Sequence, residues 1–307
     1  MNSIRDLVAD RRSASELAGA KNARTIALCI PCHDEEATIG HVVSTVRREL
    51  VDNAGLVDEL VVVDDGSTDD SANVARRAGA AVVPVAPADV VNRPGGSGKG
   101  NALWTGVAVT SSDLVVFCDA DVTSFRAEWV ARLVAPLLDD PSLAMVKPVY
   151  RRPTVDGGGG RTTELVARPL LALYAPPLHE LAQPLAGETA TRRVVLERLS
   201  LPRGWGVDVA LVLDVAAEFG AGAVGQVDLG VRTHRHRPLA DLTVQAAEVT
   251  ATILGRVGVP VRGDVVRLAD GREVVLELGE RPAPPRSLIA SRCSRPSASR
   301  GSPGTAS

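Results

Sequence analysis

Asp119 and Asp121 flank one small residue, Ala120, at the end of the apolar run DLVVFCDAD. Two carboxylates at the mouth of a buried strand offer the hard oxygen ligands that Mg²⁺ or Mn²⁺ prefers, and such ions commonly bridge a protein carboxylate to substrate phosphates. The competing reading is a strand end with two solvated acids. It loses weight because PCHDEE (31–36) and DDGSTDD (64–70) follow two other apolar runs, where a nucleotide base and ribose could lie. Helix capping accounts for Ser67, Thr68 and Asp69. It accounts less well for the paired acids Asp64 and Asp65.

Positive charge gathers in three places. In RPGGSGKG (93–100), Lys99 follows a glycine-rich stretch at the expected start of a helix. A nucleoside-triphosphate loop needs a glycine five positions before the Gly-Lys pair and a hydroxyl residue after it; Arg93 and Gly100 stand there instead. A cation, a helix amino terminus and glycines that give mobility remain suited to an anion. The glycines at 157–160 lead into Arg161, Thr162 and Thr163, a backbone nest beside a guanidinium. The run VRTHRHRP supplies Arg232, Arg235 and Arg237, whose forks suit phosphate and carboxylate oxygens. His234 and His236 stand two apart, so on a strand they share a face and are possible co-ligands. A nucleic-acid patch is disfavoured, because aromatic residues make up only 3% of the chain and few platforms exist for stacking bases.

The elements that must position these groups are legible in the periodicity. TIALCIP, DELVVVDD, AAVVPV, DLVVFCDAD and LAMVKPVY read as strands. Helices are expected over 35–50, 68–79, 99–110 and 126–138. Such alternation indicates an α/β fold on a largely parallel sheet covered on both faces. Ligands of such sheets sit at the carboxyl ends of the strands, where the acidic clusters fall. Cys29 and Cys32 spell C-x-x-C, but positions three apart on a strand diverge, and no second pair completes a zinc site. Further on, a helix from about Val207, a strand over GQVDLGVRTHRHRP, a helix over 239–257 and a hairpin turning at Asp270-Gly271 are expected.

The 307 residues are 45% apolar and 23% charged with net charge −3, an ordinary globular balance. The amino terminus lacks the uninterrupted apolar centre of a signal peptide, and no run is long enough to span a bilayer. Four cysteines make no disulfide framework at this length. A cytoplasmic protein is the expectation. It divides into an N-terminal helical extension (1–23), a first α/β half (24–152), a second half (153–258), a hairpin extension (259–281) and a disordered tail (282–307).

The ordered set PCHDEE, VVVDDGSTDD, GKGNALW, FCDAD, GGRTTELVARPLL, QPLAGE, GWGVD and LGVRTHRHRPL resembles the glucosyl-3-phosphoglycerate synthases and their mannosyl relatives, retaining glycosyltransferases of the GT-A fold. The resemblance covers roughly residues 24–258 and implies that 24–152 is the nucleotide-sugar-binding half and 153–258 the acceptor- and metal-binding half. It implies a Rossmann-like, mixed but mostly parallel sheet with a C-terminal acceptor-binding part, and transfer of glucose from UDP-glucose to the 2-hydroxyl group on 3-phosphoglycerate. It further implies Mg²⁺, Mn²⁺ or Co²⁺ as cofactor, a homodimer, and no nucleic-acid or membrane partner. By the same resemblance, Pro31, Cys32, His33 and Glu35 meet the uridine, with Asp65 and Gly66 beside the base. Lys99 holds the donor diphosphate, Asp119 and Ala120 face ribose and sugar, and Asp121 with His234 binds the metal. Gly160, Arg161, Thr163, His236 and Arg237 hold the acceptor. Asp208 stands where relatives usually carry a glutamate that contacts the sugar, and its reach is one methylene shorter. Asp119, Asp121, Lys99 and Asp208 form the expected catalytic group. The alternatives are mannosyl transfer from GDP-mannose, a polyprenyl-phosphate glycosyltransferase, and a non-enzymatic nucleotide-sugar binder.

Overall fold

The run IALCIPC forms β2 (Ile26–Cys32), and its alternation feeds two cores. Ile26, Leu28 and Ile30 pack with Leu17, Val42 and Trp129 on one face of the sheet. Ala27 and Cys29 pack with Leu103, Trp104 and Val107 on the other. Cys32 joins the first face, so the two thiols of the C-x-x-C diverge as the strand period requires. Burial pushes both thiols up to about 12. They act as small core hydrophobes.

The computed structural model describes residues 3–85, 98–152, 160–233 and 242–284. The main sheet is built from β1 (Arg5–Leu7), β2, β3 (Glu59–Asp64), β4 (Ala81–Pro84), β5 (Leu114–Phe117), β6 (Met145–Arg151), β7 (Thr189–Arg192) and β9 (Val224–Val231). Their spatial order is β1-β9-β6-β7-β5-β2-β3-β4. Only β7 runs against its neighbours, β5 and β6; the other pairings are parallel. The carboxyl ends of β2, β3, β5, β6 and β9 therefore share one edge of the sheet, and the reversed β7 brings its amino end to that same edge.

Helices cover both faces: α1 (Ala14–Ala20), α2 (Ile39–Val46), α3 (Ser71–Arg77), α4 (Lys99–Val109), α5 (Ala127–Asp139), α6 (Arg168–Tyr174), α7 (Arg193–Leu196), α8 (Val207–Phe219) and α9 (Leu242–Arg256). A five-residue π-helical turn (Thr163–Ala167) leads into α6. The N-terminal stretch expected as a helical extension also contributes β1, an edge strand beside β9. Three residues, RDL, are too short to display a period-2 pattern. α1 begins with a capping box between Ser13 and Glu16.

The expected hairpin is present as β10 (Val265–Arg267) and β11 (Glu273–Val275), with Gly271 at φ +87° in its turn. Beyond it, β12 (Glu280–Arg281) pairs antiparallel with the short β8 (Leu201–Pro202). Arg281 lies over the Trp104 ring and donates to Asn101 Oδ1, and the Trp104 indole donates to the Pro282 carbonyl. This C-terminal segment is thus fastened to α4. The rest of the expected tail, from residue 285 on, lies outside the described residues. Among the described residues, no helix is long and apolar enough to cross a membrane.

Candidate active site

Asp119, Ala120 and Asp121 follow β5, and Arg232 follows β9. Arg232 Nη2 lies 2.8 Å from Asp119 Oδ2 and 3.3 Å from Asp121 Oδ1, while its Nε donates to Glu188 Oε1 at 2.9 Å. Glu188 is fully buried and reaches this edge because β7, which it precedes, is reversed. Gly187 must be glycine, since a Cβ there would overlap the Asp119 carboxylate. Arg232, expected among the cations beside an anionic acceptor, lines the same cavity as Lys99 and Arg161. It is buried and shared among three carboxylates, because so many acids converging away from water require a fixed counter-charge.

Lys99, the first residue of α4, places Nζ 3.0 Å from Asp119 Oδ1 and 2.8 Å from Asp208 Oδ2. Asp208 sits in the first turn of α8. Burial opposes the lysine's charge, but the two carboxylates prevail and raise its pKa. Asp208 moves up, chiefly through burial. The expectation that glycines leave Lys99 mobile is corrected for the described part of its loop. Gly98 adopts φ +128° and donates its N–H to Asp65 Oδ2 at 2.6 Å, and a Cβ on Gly100 would overlap the Pro202 carbonyl. These glycines permit close backbone approach. Lys99 is pinned by its two ion pairs.

The acidic loops after β2 and β3 tie each other down. The amides of Asp34, Glu35 and Glu36 donate to Ser67, Ser71 and Asp69, and the Thr68 amide donates back to Asp34 Oδ1. Asp70 does not cap α3 with its side chain, but Asp69 Oδ1 accepts from the Ser71 amide that opens the helix, so Asp69 serves both the helix start and the loop-to-loop bonds. His33 Nδ1 lies 2.9 Å from the Asp65 carbonyl. Burial raises the Asp65 pKa.

Lining the same cavity, Gly160 (φ +72°) opens the turn carrying Arg161, Thr162 and Thr163. Arg152, just beyond β6, lies against Gly160, where a Cβ would overlap its Nη1. The cavity measures about 360 Å³ and is lined by Pro31, Cys32, His33, Glu35, Asp65, Lys99, Asp119, Ala120, Asp121, Gly160, Arg161 and Thr163 from the expected set. Asp208 lies behind Lys99, outside this lining, and Gly66 (φ +77°) stays in the turn after β3. His234, His236 and Arg237, with the neighbouring Arg235, lie outside the described residues. Arg152, Trp205 and Gln245 also line the cavity, and sequence reasoning missed all three. The QPLAGE motif signals a function whose physical basis only the fold reveals: its glutamate, Glu188, anchors Arg232.

The donor set suits a hard divalent cation. Asp119 and Asp121 approach one point closely enough to share a single guanidinium nitrogen, and carboxylate oxygens are the ligands Mg²⁺ and Mn²⁺ take. Burial, then the nearby Asp119 charge, pushes Asp121 up to about 6, a crowding that a cation relieves. Asp119 is held low despite burial by Lys99 and Arg232. Among the described residues, no group of three or more His, Cys, Asp or Glu is arranged to hold a metal.

Comparison with known proteins bears on this arrangement. Residues 27–196 match glycosyl transferase family 2. Glucosyl-3-phosphoglycerate synthase of Mycolicibacterium paratuberculosis is 45% identical over 274 residues, 85% of this chain and 82% of that protein. The Mycobacterium tuberculosis enzyme of the same name is 46% identical over 259 residues, 81% and 78% of the respective chains. A crystal structure of that enzyme in complex with Mn²⁺, UDP-glucose and phosphoglyceric acid superposes with a TM-score of 0.83 at 41% identity, covering 92% of this chain and 97% of the other. The GT-A architecture is common to both.

Proposed function

The chain belongs to glycosyl transferase family 2 and, within it, to the glucosyl-3-phosphoglycerate synthases, and from that premise we propose how its cavity works. The protein is a metal-dependent glycosyltransferase that moves glucose from UDP-glucose to the 2-hydroxyl group on 3-phosphoglycerate. The observation that carries the reading is a single cavity joining the carboxyl ends of β2, β3 and β5 to the Gly160–Thr163 turn. Donor and acceptor groups therefore face one another across it.

The loops after β2 and β3 supply the nucleoside pocket from Pro31, Cys32, His33, Glu35 and Asp65, with Gly66 shaping the turn. Their mutual hydrogen bonds fix its shape before the donor arrives, which reduces the ordering cost of binding. Asp119 and Ala120 face the ribose and sugar. Asp121, with His234, would hold Mg²⁺ or Mn²⁺, which neutralises charge on the diphosphate when bound. Lys99 serves the same leaving group, and Asp208 holds the lysine at its post. Gly160, Arg161 and Thr163, with His236 and Arg237, take the acceptor's anionic groups.

Asp119 is tied to Lys99 and Arg232, which makes it a poor nucleophile. That supports a same-face route with retention. The acceptor oxygen bonds to the anomeric carbon as the bond to the diphosphate oxygen breaks, and the acceptor proton passes to that departing oxygen.

The reading also carries a cytoplasmic homodimer, which light scattering and cell fractionation check. The test of function is UDP release by the pure protein with Mg²⁺, 3-phosphoglycerate and a panel of nucleotide sugars. UDP-glucose is expected to be the preferred donor. Preference for GDP-mannose, or no release with any donor, contradicts the assignment.

A further inference from the structure

We propose that Arg152 is a specificity-determining residue that binds the acceptor's carboxylate, so that the cavity selects a phosphorylated hydroxy acid over the corresponding phosphorylated alcohol. The inference rests on the transfer reaction proposed above and assigns a residue within its acceptor site.

Arg152 differs from the other cations of the cavity in how it is held. Lys99 and Arg232 each contact at least two carboxylates. Arg152 forms no ion pair among the described residues. Its Nη2 donates to the Tyr150 hydroxyl at 2.9 Å, and its guanidinium carbon lies 5.1 Å from the centre of the Tyr150 ring. The Tyr150 hydroxyl in turn donates to Glu188 Oε2 at 3.3 Å. Arg152 Nε is buried and has no hydrogen-bond partner among the described residues. Arg152 is near enough to Asp119 for its charge to help hold that carboxyl low, yet no described carboxylate contacts it. A guanidinium positioned by an aromatic ring and a hydroxyl therefore keeps hydrogen-bonding capacity for an incoming anion.

Its place in the cavity selects which anion. The guanidinium of Arg232 lies 5.7 Å from the centre of the same Tyr150 ring, so Arg152 is one ring removed from the group that holds Asp119 and Asp121. Arg161 lines the same cavity and is more exposed than Arg152. In 3-phosphoglycerate, the carbon bearing the reacting hydroxyl carries the carboxylate directly, and the phosphate lies one carbon further away. With that hydroxyl aimed at the sugar beside Asp119, the carboxylate meets the inner Arg152. The phosphate meets Arg161 and Thr163. Gly160 keeps the passage open, since any side chain there would occupy the space of the Arg152 fork.

The test uses the full chain with UDP-glucose and Mg²⁺. It sets the Michaelis constant for the acceptor, 3-phosphoglycerate, against the inhibition constant for the glycerol 3-phosphate enantiomer of the same configuration at carbon 2, which lacks the carboxylate. Arg152→Met is expected to raise the acceptor KM by about 10- to 100-fold, the range for a charge-assisted hydrogen bond. It should move the glycerol 3-phosphate constant by less than about threefold and the UDP-glucose KM by less than about twofold. Arg152→Lys, which keeps the charge but loses the fork, should recover part of the loss. An unchanged discrimination ratio overturns the inference. So does an equal loss for both ligands, which would make Arg152 only a prop for the Gly160 turn. Absence of glucosyl transfer by the unsubstituted protein overturns the reaction itself and this inference with it.

Discussion

On the wall formed by the ends of β5 and β9 and the start of α4, charges meet counter-charges: Asp119 contacts Lys99 and Arg232, Asp121 contacts Arg232, and Asp208 contacts Lys99. On the neighbouring wall, one Tyr150 ring away from Arg232, Arg152 is held by that ring and its hydroxyl, and Gly160 brings bare backbone to the surface. The first wall is a salt-bridge network that must exchange partners when a diphosphate and its cation enter. The second supplies positive charge for the negative charge that the acceptor brings. A net charge of −3 conceals this division, because it averages two local fields of opposite design.

The largest contrast should come from Asp121→Ala. On the donor wall it removes an expected metal ligand, so kcat should fall by about 10³-fold or more, while steady-state fluorescence and thermal unfolding show a folded protein. Full activity would remove Asp121 from the metal site. Next, Glu188→Ala strips Arg232 of its most buried partner. Breaking such a pair costs about 3–5 kcal/mol, to be read from urea unfolding, whereas Arg161→Ala at an exposed position should change stability by less than about 0.5 kcal/mol. Equal costs would erase the distinction between the walls. In kinetics, Arg161→Ala should raise the acceptor KM by about tenfold and leave the UDP-glucose KM within about twofold.

The smallest expected effect is on pH. Asp121, pushed up to about 6 by burial and by Asp119, starts from an ordinary carboxylate near 3.9 in the unfolded chain. Its folded form therefore binds the proton more tightly. Its contribution to stability is complete below about pH 4 and is lost as pH rises through about 6. Protons compete with the cation, so apparent Mg²⁺ affinity, measured by titration calorimetry, should fall several-fold between pH 7 and pH 5.5. A flat profile would separate Asp121 from the cation.

The sequence was most informative where a pattern is local. The continuous apolar runs announced β2 to β6, and the acids at their ends marked the shared edge. β7 escaped notice because TATR is four residues long and alternates threonine with alanine and arginine. Its reversed direction, which delivers Glu188, is a property of the assembled sheet. The pairing of Lys99 with Asp208 joins α4 to α8 across more than a hundred positions of chain. No spacing rule announces such a contact. Arg232 is indistinguishable by sequence from the other arginines in VRTHRHRP, since only the fold sets it among three carboxylates at the cavity. The loop glycines showed the same ambiguity: freedom and close packing require the same residue, and only the carbonyl of Pro202 against Gly100 decides between them.

The most direct measurement is nuclear magnetic resonance of the product formed by the full-length protein from UDP-glucose, 3-phosphoglycerate and Mg²⁺. The account predicts an α-glucosidic bond to the acceptor's 2-hydroxyl group, with UDP released in equal amount and no reaction when either the acceptor or the cation is withheld. A β-linked product, or UDP accompanied by free glucose and no glycoside, would contradict it.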